Sequence, residues 1–402
     1  HTRYWRDWSS DVCSSDLDKL INSLNRKQHI VIYGSSKQGK TCLRKKSLSE
    51  ENYITVHCSN RLDILNLNQL ILKSAGFEIT SSQNQTMSGR TKAKATLGVN
   101  TVAKLLGETE LEQTIEKQVS TKALELDLED TNDIIRALHS INFNKYIILD
   151  DFHYLKPETQ KDFAFSLKAF YENSDFCFII VGVWLEKNRL IALNGDLAGR
   201  VIPVDAEEWN ESDLKKVIET GIGFLNVEFD ADLIDNIIEE SFDNVYLVQE
   251  ICYRICLSFG IKETLSESFF IGNTSITAGE DGFNFSGGSL NLNLIVKEII
   301  NQHSGRYNSF IMQFSDGFQN SEIETYKWLL YPLLYVPSTE LIKGLSFNRI
   351  KEIIKSSHPN GYNLNSSNLS IALKSLTNLQ LEKNITPNVL DYDQTNLRLN
   401  VV

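Results

Sequence analysis

Two glycines separated by four residues, followed at once by lysine and threonine, stand at residues 34–41, where the chain reads G-S-S-K-Q-G-K-T. The apolar run His29-Ile30-Val31-Ile32-Tyr33 leads directly into them. Glycine tolerates the bends needed to wrap a phosphate at van der Waals distance, and a helix start offers unpaired N–H groups to an anion. The segment matches G-x-x-x-x-G-K-[ST] in the setting that pattern needs, a strand before it. It reads as a nucleoside-triphosphate site. Gly34, Ser35, Ser36, Lys37, Gln38 and Gly39 form the wrap, and Cys42 closes it after Lys40 and Thr41. Lys40 reaches the β and γ phosphates. Thr41 gives its hydroxyl to Mg²⁺, a hard cation that prefers oxygen and bridges to phosphate.

The other half of such a site is an acidic residue at the end of a second buried strand. Lys145-Tyr146-Ile147-Ile148-Leu149-Asp150-Asp151 fits that description. Four apolar residues in a row indicate a strand covered on both faces, as in parallel α/β sheets. Asp150 then holds Mg²⁺ through water, and Asp151 polarises the attacking water. Alone, the two carboxylates could equally cap the helix that begins near Pro157. The loop upstream favours the metal reading.

The elements that must position these groups follow from the rest of the chain. Its 402 residues are enough for two or three domains. A formal charge of −12 and a pI near 5.2 argue against a protein that coats nucleic acid, and leave a local DNA contact open. There is no run of eighteen apolar residues, so no membrane span is expected. Residues 5–17 resemble translated sequencing adapter, so 1–17 is read as a non-native leader and Cys13 as foreign to the protein. Cys42, Cys58, Cys177, Cys252 and Cys256 lack metal-ligand spacing with histidine. Cys252 and Cys256 sit one helical turn apart beside Ile251 and Ile255, which favours core packing over a ligand pair. A reducing, cytoplasmic compartment is expected.

Strands are predicted at about 29–34, 52–59, 145–151, 176–184 and 200–204, alternating with helices. A helix over 158–171 offers Phe163, Phe165, Leu167, Phe170 and Tyr171 to the sheet. Residues 77–122 interrupt the pattern, either as a hairpin-like, partner-binding insertion or as a surface loop. Within them Leu97, Val99, Val102, Leu105 and Leu106 are the apolar residues. Three helices are expected at 211–224, 230–241 and 245–259, with Asn210 and Asp230 as polar starts. The stretch 266–292 is rich in glycine, serine and asparagine and reads as an exposed connector. Helices at 323–334, 348–356 and 366–379, then strands at 389–392 and 397–401, predict a winged helix, with Val402 falling inside a strand. The expected division is a core over 18–205, a helical lid over 206–262, a connector over 263–320 and the winged helix over 321–402.

The two motifs, the fourth strand F-C-F-I-I-V-G-V-W, the segment G-D-L-A-G-R-V and the helical lid together resemble the AAA+ and STAND branches of P-loop ATPases across residues 18–262. That resemblance implies a five-stranded parallel sheet of order 5-1-4-3-2 and ATP, rather than GTP, as ligand. It puts Asp151 at the catalytic acidic position, where many relatives carry Glu. It also puts Arg200 where such ATPases place an arginine that senses the γ-phosphate, often across a subunit boundary and so in a homo-oligomer. The plainer alternative is that Arg200 ends a surface loop. Two family features are missing. Gly182, Val183 and Trp184 stand where a polar sensor belongs, with Asn188 several residues later, and the lid offers no basic sensor except Arg254. A slow ATPase working as a timer or switch between ATP and ADP suits these gaps.

Three functions fit the motifs. The first is a nucleotide-driven switch of the STAND kind, whose bacterial relatives serve in signalling or phage defence. The second is a DNA-associated ATPase of the origin-recognition kind. Against it, residues 321–402 carry eight lysines and arginines to seven acidic residues, and only Lys374 lies on the would-be recognition helix. The third, a small-molecule kinase, needs an acceptor pocket that the large C-terminal half does not announce.

Overall fold

A computed structural model of the protein describes residues 20–26, 28–85, 91–97, 124–207, 209–272, 291–318, 324–385 and 388–402. The leader 1–17 and the apolar residues Val99, Val102, Leu105 and Leu106 lie outside them. The chain opens with β1 (His29–Tyr33), α1 (Lys40–Ser47), β2 (Tyr53–His57) and α2 (Ile64–Ser74). Then come β3 (Phe77–Gln85), β4 (Thr91–Leu97), β5 (Leu124–Asp127), α3 (Thr131–Ser140) and β6 (Tyr146–Asp150). α4 (Pro157–Asn173), β7 (Phe178–Val181), α5 (Arg189–Leu193) and β8 (Val201–Asp205) complete the first half.

Five of these strands form one parallel sheet of order β2-β6-β7-β1-β8, the order 5-1-4-3-2 expected for the core. Side chains alternate across a strand, and here both faces are buried. Val31 and Tyr33 enter one apolar cluster with Ile147, Leu149 and Phe178, while Ile30 and Ile32 enter another with Ile148, Ile179 and Val204. That is why these strands read as unbroken apolar runs. On α4, Phe163, Leu167 and Phe170 are fully buried, and Phe163 and Phe170 meet Phe178 at ring distances of 5.3 and 4.6 Å. Phe165 and Tyr171 do not join them and are exposed. Residues at i, i+4 and i+7 share a helix face, whereas i+2 lies nearly opposite.

The interruption begins as a hairpin. β3 pairs antiparallel with β4, and β4 with β5, in a separate three-stranded sheet. Ala93, Ala95 and Leu126 bury themselves in the core cluster.

The next segment holds α6 (Glu211–Gly223), β9 (Val227–Phe229), α7 (Ala231–Ser241) and α8 (Val245–Ser258) around a cluster of their own. Asn210 and Asn244 cap as their type predicts, accepting from the N–H groups of Asp213 and Leu247. Asp230 makes no side-chain cap; its own N–H donates to Ile271 O instead. Cys252 and Cys256 are buried in this cluster. Two elements of the expected connector were not legible. β10 (Phe269–Ile271) pairs parallel with β9, and α9 (Leu292–Ser315) is a 24-residue helix. Ile299 of α9 belongs to the cluster of α6–α8, and Phe310 and Phe314 belong to that of the last eighty residues. At 1.5 Å per residue, α9 is a strut about 36 Å long joining two cores. Only those three of its residues are buried, too few for an amphipathic stripe.

The rest comprises α10 (Thr325–Tyr335), α11 (Ser338–Leu341), β11 (Leu345–Ser346), α12 (Phe347–Ser357), α13 (Ser366–Lys374) and α14 (Leu376–Glu382). β12 (Leu390–Asp393) and β13 (Arg398–Val401) follow, in a three-stranded antiparallel sheet with β11. The helix expected over 366–379 is broken at Ser375.

Packing at the end of β7 is tight. Gly182 donates its N–H to Ile32 O, and a Cβ built there would lie 1.5 Å from Cζ3 of the buried Trp184. Gly182→Ala should therefore cost about 3 kcal/mol of stability through overpacking. It would be read as a lower urea midpoint at unchanged m-value.

Candidate functional site

β1 delivers its last residue into the loop that follows, and backbone geometry sets the loop's shape. Gly34 has φ 144 and donates its N–H to Trp184 O at 3.0 Å, which pins the loop to the segment after β7. A Cβ on Gly34 would be strained at that φ and would meet the Ala206 carbonyl carbon at 3.3 Å. Lys37 and Gly39 are also left-handed, at φ 67 and 84, and turn the chain into α1.

Lys40 lies inside this turn, buried, with Nζ donating to Gly34 O at 2.8 Å and to Ser35 O. Burial lowers its pKa to about 8, against the charges of Glu207, Asp151 and Asp150, which act to raise it. A desolvated ammonium held only by two carbonyls fits an incoming phosphate. Thr41 is exposed at the first turn of α1, and Cys42 is half-buried behind it.

Asp150 ends β6 opposite His57 of β2. Its Oδ2 is 4.0 Å from Arg44 Nη2 and 4.0 Å from His57 Nδ1, too far for a tight ion pair. Asp151 follows in the left-handed region at φ 59, and its N–H donates to Asp150 Oδ1 at 3.2 Å. Burial, then the charge of Asp150, raises the Asp151 pKa against the pull of His57 and Lys40. A carboxyl shifted upward is a better proton acceptor near neutral pH. Among the described residues, no group of three His, Cys, Asp or Glu is placed to hold a metal. Thr41 and Asp150 are the residues here that could hold Mg²⁺, an ion that commonly completes its shell with phosphate and water.

Several residues of the cradle gave no sequence signal that was read. Glu207 accepts from Ser35 N at 2.5 Å and from Gln38 Nε2 at 3.2 Å. Trp209 donates its indole N–H to Gln38 O at 3.4 Å. The first turn of α8 also reaches the loop: Val245 N–H donates to Gln38 Oε1 at 3.3 Å, and Lys37 Nζ sits 3.6 Å above the Tyr246 ring. An acidic residue and a tryptophan directly after the last sheet strand were the available clue.

Arg200 is not brought to this site. It precedes β8 at the end of the sheet where β1 begins, its carbonyl accepting from His29 N at 3.1 Å. β1 alone separates it from the loop by about 16 Å. Its guanidinium donates to Glu172 at 2.9 Å and to the Asp196 carbonyl, and lies over the Tyr171 ring. Arg254 is likewise engaged elsewhere, with Glu250, Glu298 and Gln302.

No protein-family model and no curated protein sequence matches the chain. Its architecture does match solved structures. Over 96% of this chain and 92% of the other, it resembles a Walker-type ATPase of Pyrococcus abyssi with TM-score 0.55 at 12% sequence identity. The fold is that of a P-loop ATPase. Looser likenesses, each at 11% identity, extend to ORC1 of Aeropyrum pernix in complex with DNA and to RuvB, the Holliday junction branch migration motor of Thermotoga maritima. The first has TM-score 0.40 over 91% of this chain and 82% of that one; the second has 0.38 over 97% and 92%.

In this P-loop fold the lowered pKa of Lys40, about 8, bears on phosphate binding. A bound phosphate would raise it again, so binding takes up a proton once the pH passes about 8. ADP affinity should hold from about pH 7 to 8 and then fall, approaching tenfold per unit above that. Titration calorimetry in buffers of different ionisation enthalpy would detect the proton uptake. Flat affinity up to about pH 9.5 would show that Lys40 stays charged in the empty loop.

Proposed function

We propose that this chain is an ATP-binding and ATP-hydrolysing molecular switch of the AAA+/STAND kind, slow in turnover and used in signalling or phage defence. The observation that carries the reading is the buried Lys40 ammonium, bonded to loop carbonyls and facing the Asp150–Asp151 pair. Lys40 and the loop N–H groups bind the β and γ phosphates. Asp151 accepts a proton from the water that attacks the γ-phosphorus. Thr41 and Asp150 would hold Mg²⁺, which would supply charge neutralisation when bound. Glu207, Trp209, Val245 and Tyr246 make the loop's shape a matter for the lid as well as the core, so a bound nucleotide can bias the lid.

The same reading takes residues 321–402 as a winged helix docked on the ATPase core. Arg189 of α5 pairs with Asp391 of β12 at 2.9 Å, and Thr395 donates to Glu186 at 2.8 Å. The hairpin tip is thus engaged by the core and not free to enter a groove, which favours the switch over the DNA-reading alternative. Arg200 could act only on a neighbouring copy's nucleotide, in a homo-oligomer. The buried cysteines Cys58, Cys252 and Cys256 suit a reducing, cytoplasmic compartment. No described helix is long and apolar enough to cross a membrane.

ATP hydrolysis by wild type beside Lys40→Ala and Asp151→Asn, with and without duplex DNA, tests this. Lys40→Ala should lose nucleotide binding. Asp151→Asn should keep it and slow turnover about a hundredfold. DNA should change neither. Strong stimulation by DNA would favour the origin-recognition reading, and a wild type that binds no nucleotide would remove both.

A further inference from the structure

Two histidines of the core are fully buried, and they differ in one respect. His29 uses both ring nitrogens: Nε2 bonds with Leu167 O at 2.9 Å, and Nδ1 accepts from Phe178 N–H at 3.2 Å. His153, 1% exposed, has no hydrogen-bond partner on either nitrogen among the described residues. Buried polar groups are almost always paired, so an orphaned imidazole calls for a reason. Its position gives one. His153 stands on the turn Phe152–Tyr154, directly after Asp151, with the Tyr154 ring 4.0 Å away.

The charges acting on His153 are cationic. Burial, with the charges of Lys40 and Arg189, lowers its pKa to about 3, so the ring is neutral and offers one N–H and one lone pair. Arg189 also lies over the Trp184 ring at 5.3 Å, and the indole N–H of Trp184 is a second buried donor without a partner. Close to the acidic pair, His153 and Trp184 therefore leave two buried donors with no acceptor among the described residues, beside a Lys40 ammonium that loop carbonyls hold. A terminal phosphoryl group, with its three anionic oxygens, is the chemistry that such a set fits.

Resting on the ATP-hydrolase reading above, we propose that His153 is the residue that donates to a γ-phosphoryl oxygen and so tells ATP from ADP. Arg189 connects it onward, since the same guanidinium pairs with Asp391 of the C-terminal hairpin. Loss or gain of the γ-phosphate would thus be felt at the place where that hairpin docks.

The test compares His153→Asn, which keeps a donor, with His153→Leu, which keeps volume and has none. The affinities of fluorescent ADP and of a β,γ-imido ATP analogue are measured, with thermal unfolding as the control for folding. Wild type should prefer the ATP analogue. His153→Leu should bind ADP within about twofold of wild type and the ATP analogue about tenfold more weakly, while His153→Asn recovers most of that preference. His153→Ala serves as the donor-free comparison if the leucine variant does not fold. An unchanged ratio of the two affinities in the donor-free variant overturns the proposal, and so does an equal loss of both nucleotides. A wild type that binds neither nucleotide overturns the hydrolase reading instead.

Discussion

The rest of the site is arranged around one desolvated charge, the Lys40 ammonium. Burying a cation is costly unless something opposite is close, and the fold answers with carbonyls and with carboxylates at a distance. The Gly34 and Ser35 carbonyls take its hydrogens, while the charges of Glu207, Asp151 and Asp150 favour its protonated form. Each of those groups comes from a different segment: the end of β6, the turn after it, and the connector beyond β8. The parallel sheet brings them together, because the C-terminal ends of β1, β6 and β8 open on the same edge. A close-packed second layer fixes that edge, as the Gly34–Trp184 bridge shows.

Such a cradle is also a point of mechanical contact between units. Gln38 alone makes three such contacts: its side chain donates to Glu207, its side-chain oxygen accepts from Val245 N–H, and its carbonyl accepts from the Trp209 indole. A phosphate that reshapes residues 34–41 cannot leave those partners undisturbed. Further on, α8 hands its Arg254 to Glu298 and Gln302 of α9, and α9 ends in the core of the last eighty residues. The core reaches the same residues directly through Arg189 and Asp391. Two independent routes thus join the nucleotide loop to the C-terminal hairpin, and a change at one end has a physical path to the other.

How much of this the sequence discloses depends on whether a local pattern or a distant partner fixes each feature. Buried parallel strands announce themselves, since apolar cover on both faces leaves an unbroken run, and the five core strands fall within a few residues of their expected places. The loop residues 34–41 are equally legible because glycine placement is dictated by backbone shape. His153 is not, since nothing local marks it and its meaning lies in what Lys40 and Arg189 do nearby; Glu207 is marked only by its place, with Trp209, just after β8. α9 was hidden for a related reason. Its stability comes from two cores at its ends, so it carries three buried residues where an amphipathic helix would carry a stripe. The break at Ser375 is of the same kind, with α13 and α14 each following its own tertiary contacts.

The acidic pair shows how a small backbone feature resolves a geometric conflict. Consecutive residues of a strand point to opposite faces, so Asp150 and Asp151 in a continuing β6 would be separated by the sheet. Both nevertheless act on Lys40. The left-handed conformation of Asp151 ends the strand at Asp150 and turns the next carboxylate back toward the cradle edge. A non-glycine residue held there costs about 1 kcal/mol or more, which the surrounding structure must supply. Buried Phe152, packed against Phe163 and Trp184, anchors the turn that holds it. The strain keeps both carboxylates at the same edge of the sheet, and the same turn carries His153 beside them.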